Sequence, residues 1–238
     1  MEGINTILNA MQSDLRKLNS IGHNLANVDT NAYKRIVADL EVQSIDLGGK
    51  QVAITASNNK NIASSSRVDY SNGALKFTGR SLNMAIEGDG YFQVRDNVGT
   101  WLTRQGELKV DSEGYLTLLD GSKLQGIDGD IQVQPGTIEI RNNGELYQEG
   151  DQVIAKIAVV DASDNMLQEI GKGKYSSPSV SLLEQPSVRQ EFLEMSNVNH
   201  LHEMVSLVEL TRHFEGSQQV LQGYSTMMEE LVSKVGRI

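Results

Sequence analysis

The chain has no cysteine among its 238 residues, only three prolines, and a 5% share of aromatic side chains. Without cysteine there is no disulfide framework, no thiolate zinc site and no cysteine nucleophile, and the redox compartment is left open. Basic residues are outnumbered: 21 Lys and Arg against 31 Asp and Glu give a net charge of −10. A nucleic-acid binder needs a basic stripe to neutralise phosphates, so that class is excluded. Long apolar runs are missing too. The best one, Val153 to Val160, is short and broken by Lys156, so no segment is expected to insert into a membrane. The opening Met1-Glu2-Gly3-Ile4-Asn5 has neither the basic nor the apolar region of a secretory signal. Export, if it occurs, is expected to read an uncleaved sequence.

Signatures of catalysis are equally scarce. Gly88-Asp89-Gly90 lacks the third glycine and the following helix of a dinucleotide site, so it reads as a turn. Gly171-Lys172-Gly173-Lys174 has no glycine five positions ahead and no Ser or Thr after either lysine, which excludes a phosphate-binding loop. Asp128 and Asp130 sit in a Gly-rich turn without the remaining ligands of a calcium loop. His200 and His202 are two apart on an expected helix, hence about 200° around it, and cannot face one metal ion. No nucleophile elbow is present. The expectation is a protein with no catalytic residues, no metal and no cofactor.

What the chain does have is a long C-terminal stretch. Leu207, Leu210, Phe214, Ser217, Leu221, Tyr224, Met228, Leu231 and Val235 alternate three and four apart, one side of a helix over 198–235. Such a helix is roughly 55 Å long, and its seven-residue repeat favours a helical partner over a sheet. Gly216 and Gly223 share a face beside Ser217, where another helix backbone is expected to approach closely. The N-terminus offers a matching helix over 3–27, with Ile4, Leu8, Met11, Leu15, Leu18, Gly22 and Leu25 on its seam and Asp14, Arg16 and Lys17 off it. Asn24 and Asn27 then read as helix termination.

Between the helices the text changes twice. Residues 36–79 alternate weakly and then run polar through Ser57-Asn58-Asn59-Lys60-Asn61 and Ser64-Ser65-Ser66, a linker composition. From Gly79 to Leu183 short strands are expected at Ala85–Ile86, Tyr91–Val94, Trp101–Thr103, Leu108–Val110, Tyr115–Leu118, Ile131–Val133, Ile138–Ile140 and Ile154–Val160. Asp120-Gly121, Asp128-Gly129 and Asn143-Gly144 punctuate them as tight turns. Residues 187–195 read either as a capped helix start at Ser187 and Gln190 or as an extended return. The expected fold is α+β: terminal amphipathic helices packed as a coiled-coil-like domain (1–35 and 190–238), a linker (36–79), and an inserted antiparallel β domain (80–189).

Three stretches, in order along the chain, resemble the bacterial flagellar axial proteins of the rod and hook. The first is Ser20, Asn24, Leu25, Ala26, Asn27, Thr30, Tyr33, Lys34 and Arg35; the second is Leu82, Ala85, Ile86, Gly88 to Phe92, Val94, Thr103, Arg104 and Gly106. The third is Leu193, Glu194, Ser196, Asn197, Val198 and Asn199, followed by Glu203, Met204, Val205, Arg212, Phe214 and Glu215. The family usually has glycine where this chain has Ala32, and aspartate where it has Asn83. Length and the His213-Phe214-Glu215 text resemble proximal-rod (FlgF-type) members ahead of distal-rod (FlgG-type) ones. The resemblance implies a structural subunit, exported unfolded through the flagellar type III apparatus without a cleaved signal, that stacks helically in the periplasmic basal body. It implies as partners other copies of the chain, other rod proteins, and the surrounding ring or peptidoglycan. Terminal helices would line the tube, which makes both apolar seams an assembly surface.

Overall fold

The computed structural model describes residues 2–38, 43–46, 51–54, 66–148, 152–163 and 166–235. They form two compact units. The helical unit comprises Met1–Val28, Arg35–Asp69 and Val198–Ile238; the β unit comprises Asp29–Lys34 and Tyr70–Asn197. Residues 29–34 and 190–197, which the sequence reading places with the helices, therefore belong to the β unit. Most of the expected polar linker run, from Ser57 to Asn61 with Ser64 and Ser65, lies outside the described residues.

In the helical unit, α1 spans Glu2–Ala26 and α2 spans His200–Val235. Asn27 ends α1 by donating its side-chain amide to the His23 carbonyl at 2.8 Å. Asn199 starts α2: its Oδ1 accepts the His202 N–H at 3.1 Å and its carbonyl accepts Glu203 N–H. That is the N-cap geometry short polar side chains supply to otherwise unpaired helix donors. The two helices pack against each other. Strand Ile36–Ala38 pairs antiparallel with Ser66–Val68, and Gln43–Asp46 with Gln51–Ile54, so both ends of the expected linker's first half are strand rather than free chain.

The β unit is antiparallel throughout. Its main sheet runs in the order Gln168–Gly171, Lys174–Ser176, Thr100–Thr103, Tyr91–Arg95, Lys123–Gly126, Leu116–Leu118, Leu108–Val110. Val159–Asp161 adds to Tyr91–Arg95 and carries Ser181–Leu182 on its other side. A three-stranded meander joins Ile138–Ile140, Glu145–Gln148 and Gln152–Lys156. Alternation explains the two cores: Phe92 and Val94 enter one with Leu124, Leu146 and Val159, whereas Tyr91 enters the other with Leu102, Val160 and Tyr175. Neighbouring side chains leave a strand on opposite faces, so a strand covered on both sides reads apolar at consecutive positions. Gly121, Gly129 and Gly144 all take positive φ, as the three turn dipeptides require.

Two expected strands differ. Ile131–Val133 makes only an isolated bridge between Tyr115 and Gln132, although Ile131 and Val133 are buried. Ile154–Val160 is two strands, because Ile157 N–H turns to the Gly144 carbonyl and Ala158 N–H to that of Gln125. Residues 187–195 take the extended alternative: Val188–Gln190 pairs with Met84–Ile86 and Phe192–Glu194 with Leu75–Phe77. Gln190 caps no helix; its amide bonds the Ile138 and Ser81 carbonyls.

Candidate functional site

The apolar residues of α1 and α2 are placed so that none of those described is fully buried, whereas Asp14, Asn24 and Glu203 are. On α1 the half-buried row is Ile4, Ile7, Met11, Leu18, Ile21 and Leu25, with buried Asp14 in its middle. Leu8 and Leu15, expected on that row, are 44% and 47% exposed, and Gly22 is exposed as well. The two possible spirals share Ile4, Met11, Leu18 and Leu25; choosing by apolarity alone prefers leucine to Asp14 and picks the wrong one. On α2, Leu207, Leu210, Phe214, Ser217, Leu221 and Tyr224 are half-buried in one row and Met228 is exposed. The side chains of Leu231 and Val235 lie outside the described residues. Among the described residues, no atom beyond the helix's own neighbouring turns comes within 4 Å of where a Cβ would sit on Gly216 or Gly223, so no other described element approaches closely there.

Polar contacts fix this unit. Asp14 Oδ2 lies 2.6 Å from His213 Nδ1 on α2. Asn24 does more than end a helix: its amide donates to the Ile36 carbonyl at 2.9 Å and its Oδ1 accepts the Ile36 N–H at 2.8 Å. One side chain thus satisfies both polar groups of a strand residue, a debt the backbone must otherwise settle elsewhere. Arg35 Nε donates to Glu203 Oε1 at 2.8 Å, with the Glu203 side chain 2% exposed. Among the apolar flanks, Val198 is buried just before α2.

The β unit holds a buried charge cluster. Lys34 Nζ donates to Glu194 Oε1 at 2.7 Å and to the Ser71 carbonyl at 2.8 Å. Arg104 reaches Glu194 Oε2 at 3.3 Å and the Gly88 carbonyl at 2.8 Å, and lies 5.1 Å over the Tyr91 ring. The Ala32 N–H donates to the Glu194 carbonyl at 2.8 Å, with Ala32 itself at φ +58°. Left-handed backbone suits glycine, so the departure from the family pattern at this position places a Cβ where it costs about 1–2 kcal/mol. Thr30 accepts the Tyr33 N–H, and Tyr33 accepts the Asn197 N–H. Gly88 and Gly90 both have positive φ in the turn that leads into Tyr91. Asn83 is buried and donates to Thr78 Oγ1 at 2.9 Å. Ser196 is half-buried between Met195 and Asn197.

An open polar cleft of about 450 Å³ contains Asp96, Asp120 and Lys174, yet these groups neutralise one another: Lys174 lies 2.7 Å from Asp120 and 3.1 Å from Asp96. A hydrogen bond from the Trp101 side chain, then the Val98 and Gly99 N–H groups and Lys174, hold the Asp96 carboxyl well below the usual range. Burial opposes the charge of Asp120, but Lys174 and Ser122 outweigh it and its pKa also falls. Lys174 is likewise opposed by burial and raised by its two carboxylates. Among the described residues no group of three or more His, Asp or Glu side chains could hold a metal ion, and no helix is long and apolar enough to cross a membrane.

The profile of the flagellar hook protein FlgE/F/G D1 domain matches residues 85–166, and that of the flagellar basal body rod FlgEFG protein C-terminal region matches 189–234. Together they span more than half of the chain. The chain belongs to the flagellar basal-body rod protein family. A flagellar basal-body rod protein FlgG from Bacillus subtilis is 29% identical over 262 aligned positions, covering 95% of this chain and 96% of that one. Rod proteins FlgF from Mesorhizobium japonicum and Rhizobium meliloti are each 26% identical, over 237 and 248 positions and at least 95% of both partners. In this rod-family chain, the first profile starts inside strand Met84–Ile86, and the second runs from Arg189 into α2. Sequence reasoning found Asn24, Asn27, Lys34 and Asn197 to Asn199 as signature positions but missed that Lys34, Arg104 and Glu194 meet. Their separations of 70 and 90 positions leave no local pattern, and the signal available was their occurrence, one each, in the three family stretches.

Proposed function

We propose that this chain is a structural subunit of the rod that assembles helically through α1 and α2 and carries torque from motor to hook. The observation that carries this reading is the burial pattern of the two helices, where Asp14, Asn24 and Glu203 are buried while the apolar rows are only half-buried and further apolar side chains lie exposed. Leu201, Val205, Val208, Val220 and Val232 on α2 are each more than half exposed, and Leu8 and Leu15 on α1 nearly so. Covering one such side chain contributes about 1.5–3 kcal/mol. Two helices with this much uncovered surface gain most by packing on further helices, coiled-coil-like, in a heterologous stack that does not close. Gly216, Ser217 and Gly223 are then where a neighbouring subunit's helix comes closest. Neighbours are copies of this chain and other rod proteins; the β unit faces the surrounding ring or peptidoglycan. The cysteine-free chain reaches the periplasm unfolded, through the flagellar type III export apparatus. The short chain and the His213-Phe214-Glu215 text favour the proximal rod, and the distal position is the alternative.

Leu221→Asp tests this. We expect assembly to fail while the β unit unfolds at its normal temperature, and brief proteolysis of dilute wild-type monomer to trim both ends and leave residues 70–197. The rival is a monomeric binding module whose helices form a self-sufficient hairpin, which the Asp14–His213 contact favours. Protease-resistant termini in dilute monomer, with general destabilisation by Leu221→Asp, would establish the hairpin instead. Immunolocalisation in purified basal bodies assigns the proximal or distal position.

A further inference from the structure

The chain passes between its two units four times, after Val28, Lys34, Asp69 and Asn197. On the β-unit side these passages belong to three segments: residues 29–34, 70–74 and 194–197. One residue touches all three. The Glu194 carbonyl accepts the Ala32 N–H, and its Oε1 accepts both Lys34 Nζ and the Gly73 N–H, the latter at 3.0 Å. Its own segment is stitched to the others besides. Met195 N–H donates to the Ala74 carbonyl, Asn197 N–H to Tyr33, and the Asn197 side-chain amide to Ser71 at 3.1 Å. Gly73 and Met195 run so close that a Cβ at Gly73 would overlap the Met195 carbonyl oxygen. Arg104, from the strand end after Thr103, pins the other carboxylate oxygen to the main sheet.

We propose that Glu194 is the positioning residue through which these three segments act as one piece, clamped by Lys34 and Arg104. A twist entering by any of the four passages is then delivered to the β unit as a whole rather than peeling one strand at a time. This rests on the rod-subunit reading for its purpose, but the clamp itself is a property of the single chain. Side-chain exposures of 1% for Lys34 and Glu194 and 3% for Arg104 place the cluster where charge attraction is little screened. Removing the carboxylate leaves two buried cations facing each other.

Hydrogen exchange on the full-length chain separates a clamp from a local bond. With Glu194→Gln, the amides of Ala32, Met195 and Asn197, none of which bonds the carboxylate, are expected to exchange together with Gly73, faster by roughly tenfold or more. Core amides at Gln93 and Leu116 should be unchanged. Lys34→Met, which keeps the Arg104–Glu194 pair, should affect the same amides less and serves if Glu194→Gln does not fold. An effect confined to Gly73 would overturn the clamp. In the bacterium, Glu194→Gln rods should assemble in normal number but lose rotation as viscosity rises; rotation equal to wild type under load overturns the mechanical role. Absence of the wild-type chain from basal bodies sinks the rod reading instead, whatever the exchange result.

Discussion

The two units bury opposite things. In the β unit Met84, Phe92, Val94, Leu124, Leu146 and Val188 are completely inaccessible, and the buried charges Lys34 and Arg104 both pair with Glu194. Among the described residues of the helices the fully buried side chains are Asp14, Asn24 and Glu203, each held by a specific partner, while the apolar rows are half open. Apolar burial is non-directional and supplies stability; a buried polar pair tolerates one geometry and supplies register. The β unit is thus closed over its own cores, whereas the apolar rows of the helices are only partly covered.

Equal truncations should expose that difference. Phe92→Ala removes a completely buried ring and is expected to cost about 3–5 kcal/mol, seen as a large drop in the main thermal transition. A loss below about 1 kcal/mol would show that the β core is looser than its burial implies. Next in size is Asn24→Ala. It strips both partners from Ile36 and should cost about 1–3 kcal/mol, offset in part by alanine's better helix propensity. The readout is circular dichroism: helical signal should melt earlier while the β transition stays put, and melting of both together would show the units to be one cooperative fold.

Acid should sharpen the comparison further. Asp96 and Asp120 have folded pKa values below the ordinary 3.8, so the stability they contribute is present above that value and is lost as pH falls through the folded values. Lys174 is raised above 10.5, so its contribution is complete below that pH and fades above it. Between roughly pH 4 and 10 this triad should leave the β transition flat, with a fall below pH 4 that Asp96→Asn makes shallower. An unchanged acid limb in that variant would remove the triad from the account. The smallest effect is Ala32→Gly. Relief of the left-handed backbone outweighs glycine's extra unfolded-state freedom, for a gain of about 0.5 kcal/mol in denaturant unfolding. Destabilisation would mean that the buried Ala32 methyl matters more than its backbone.

The elements legible in the sequence were those with a long or clean period. Both helices appear within about two residues of their expected ends, because caps at Asn27 and Asn199 bracket apolar rows. Strand Tyr91–Arg95 and its hairpin partners were visible from aromatic and β-branched runs between glycine turns. Leu75–Phe77 and Lys174–Ser176 were not, since the first falls inside the stretch whose composition reads as linker and the second sets a single apolar residue between two polar ones. Asp14 was misplaced for a different reason: its burial is decided by His213, 199 positions away, and no local rule sees that far.

The Asn197 amide bonding Ser71 brings the exit of the β unit back to its entrance. Some 125 residues leave and return within one hydrogen bond of the same spot. The stretch between these two positions can lengthen or shorten without changing the spacing of the chain at Ser71 and Asn197.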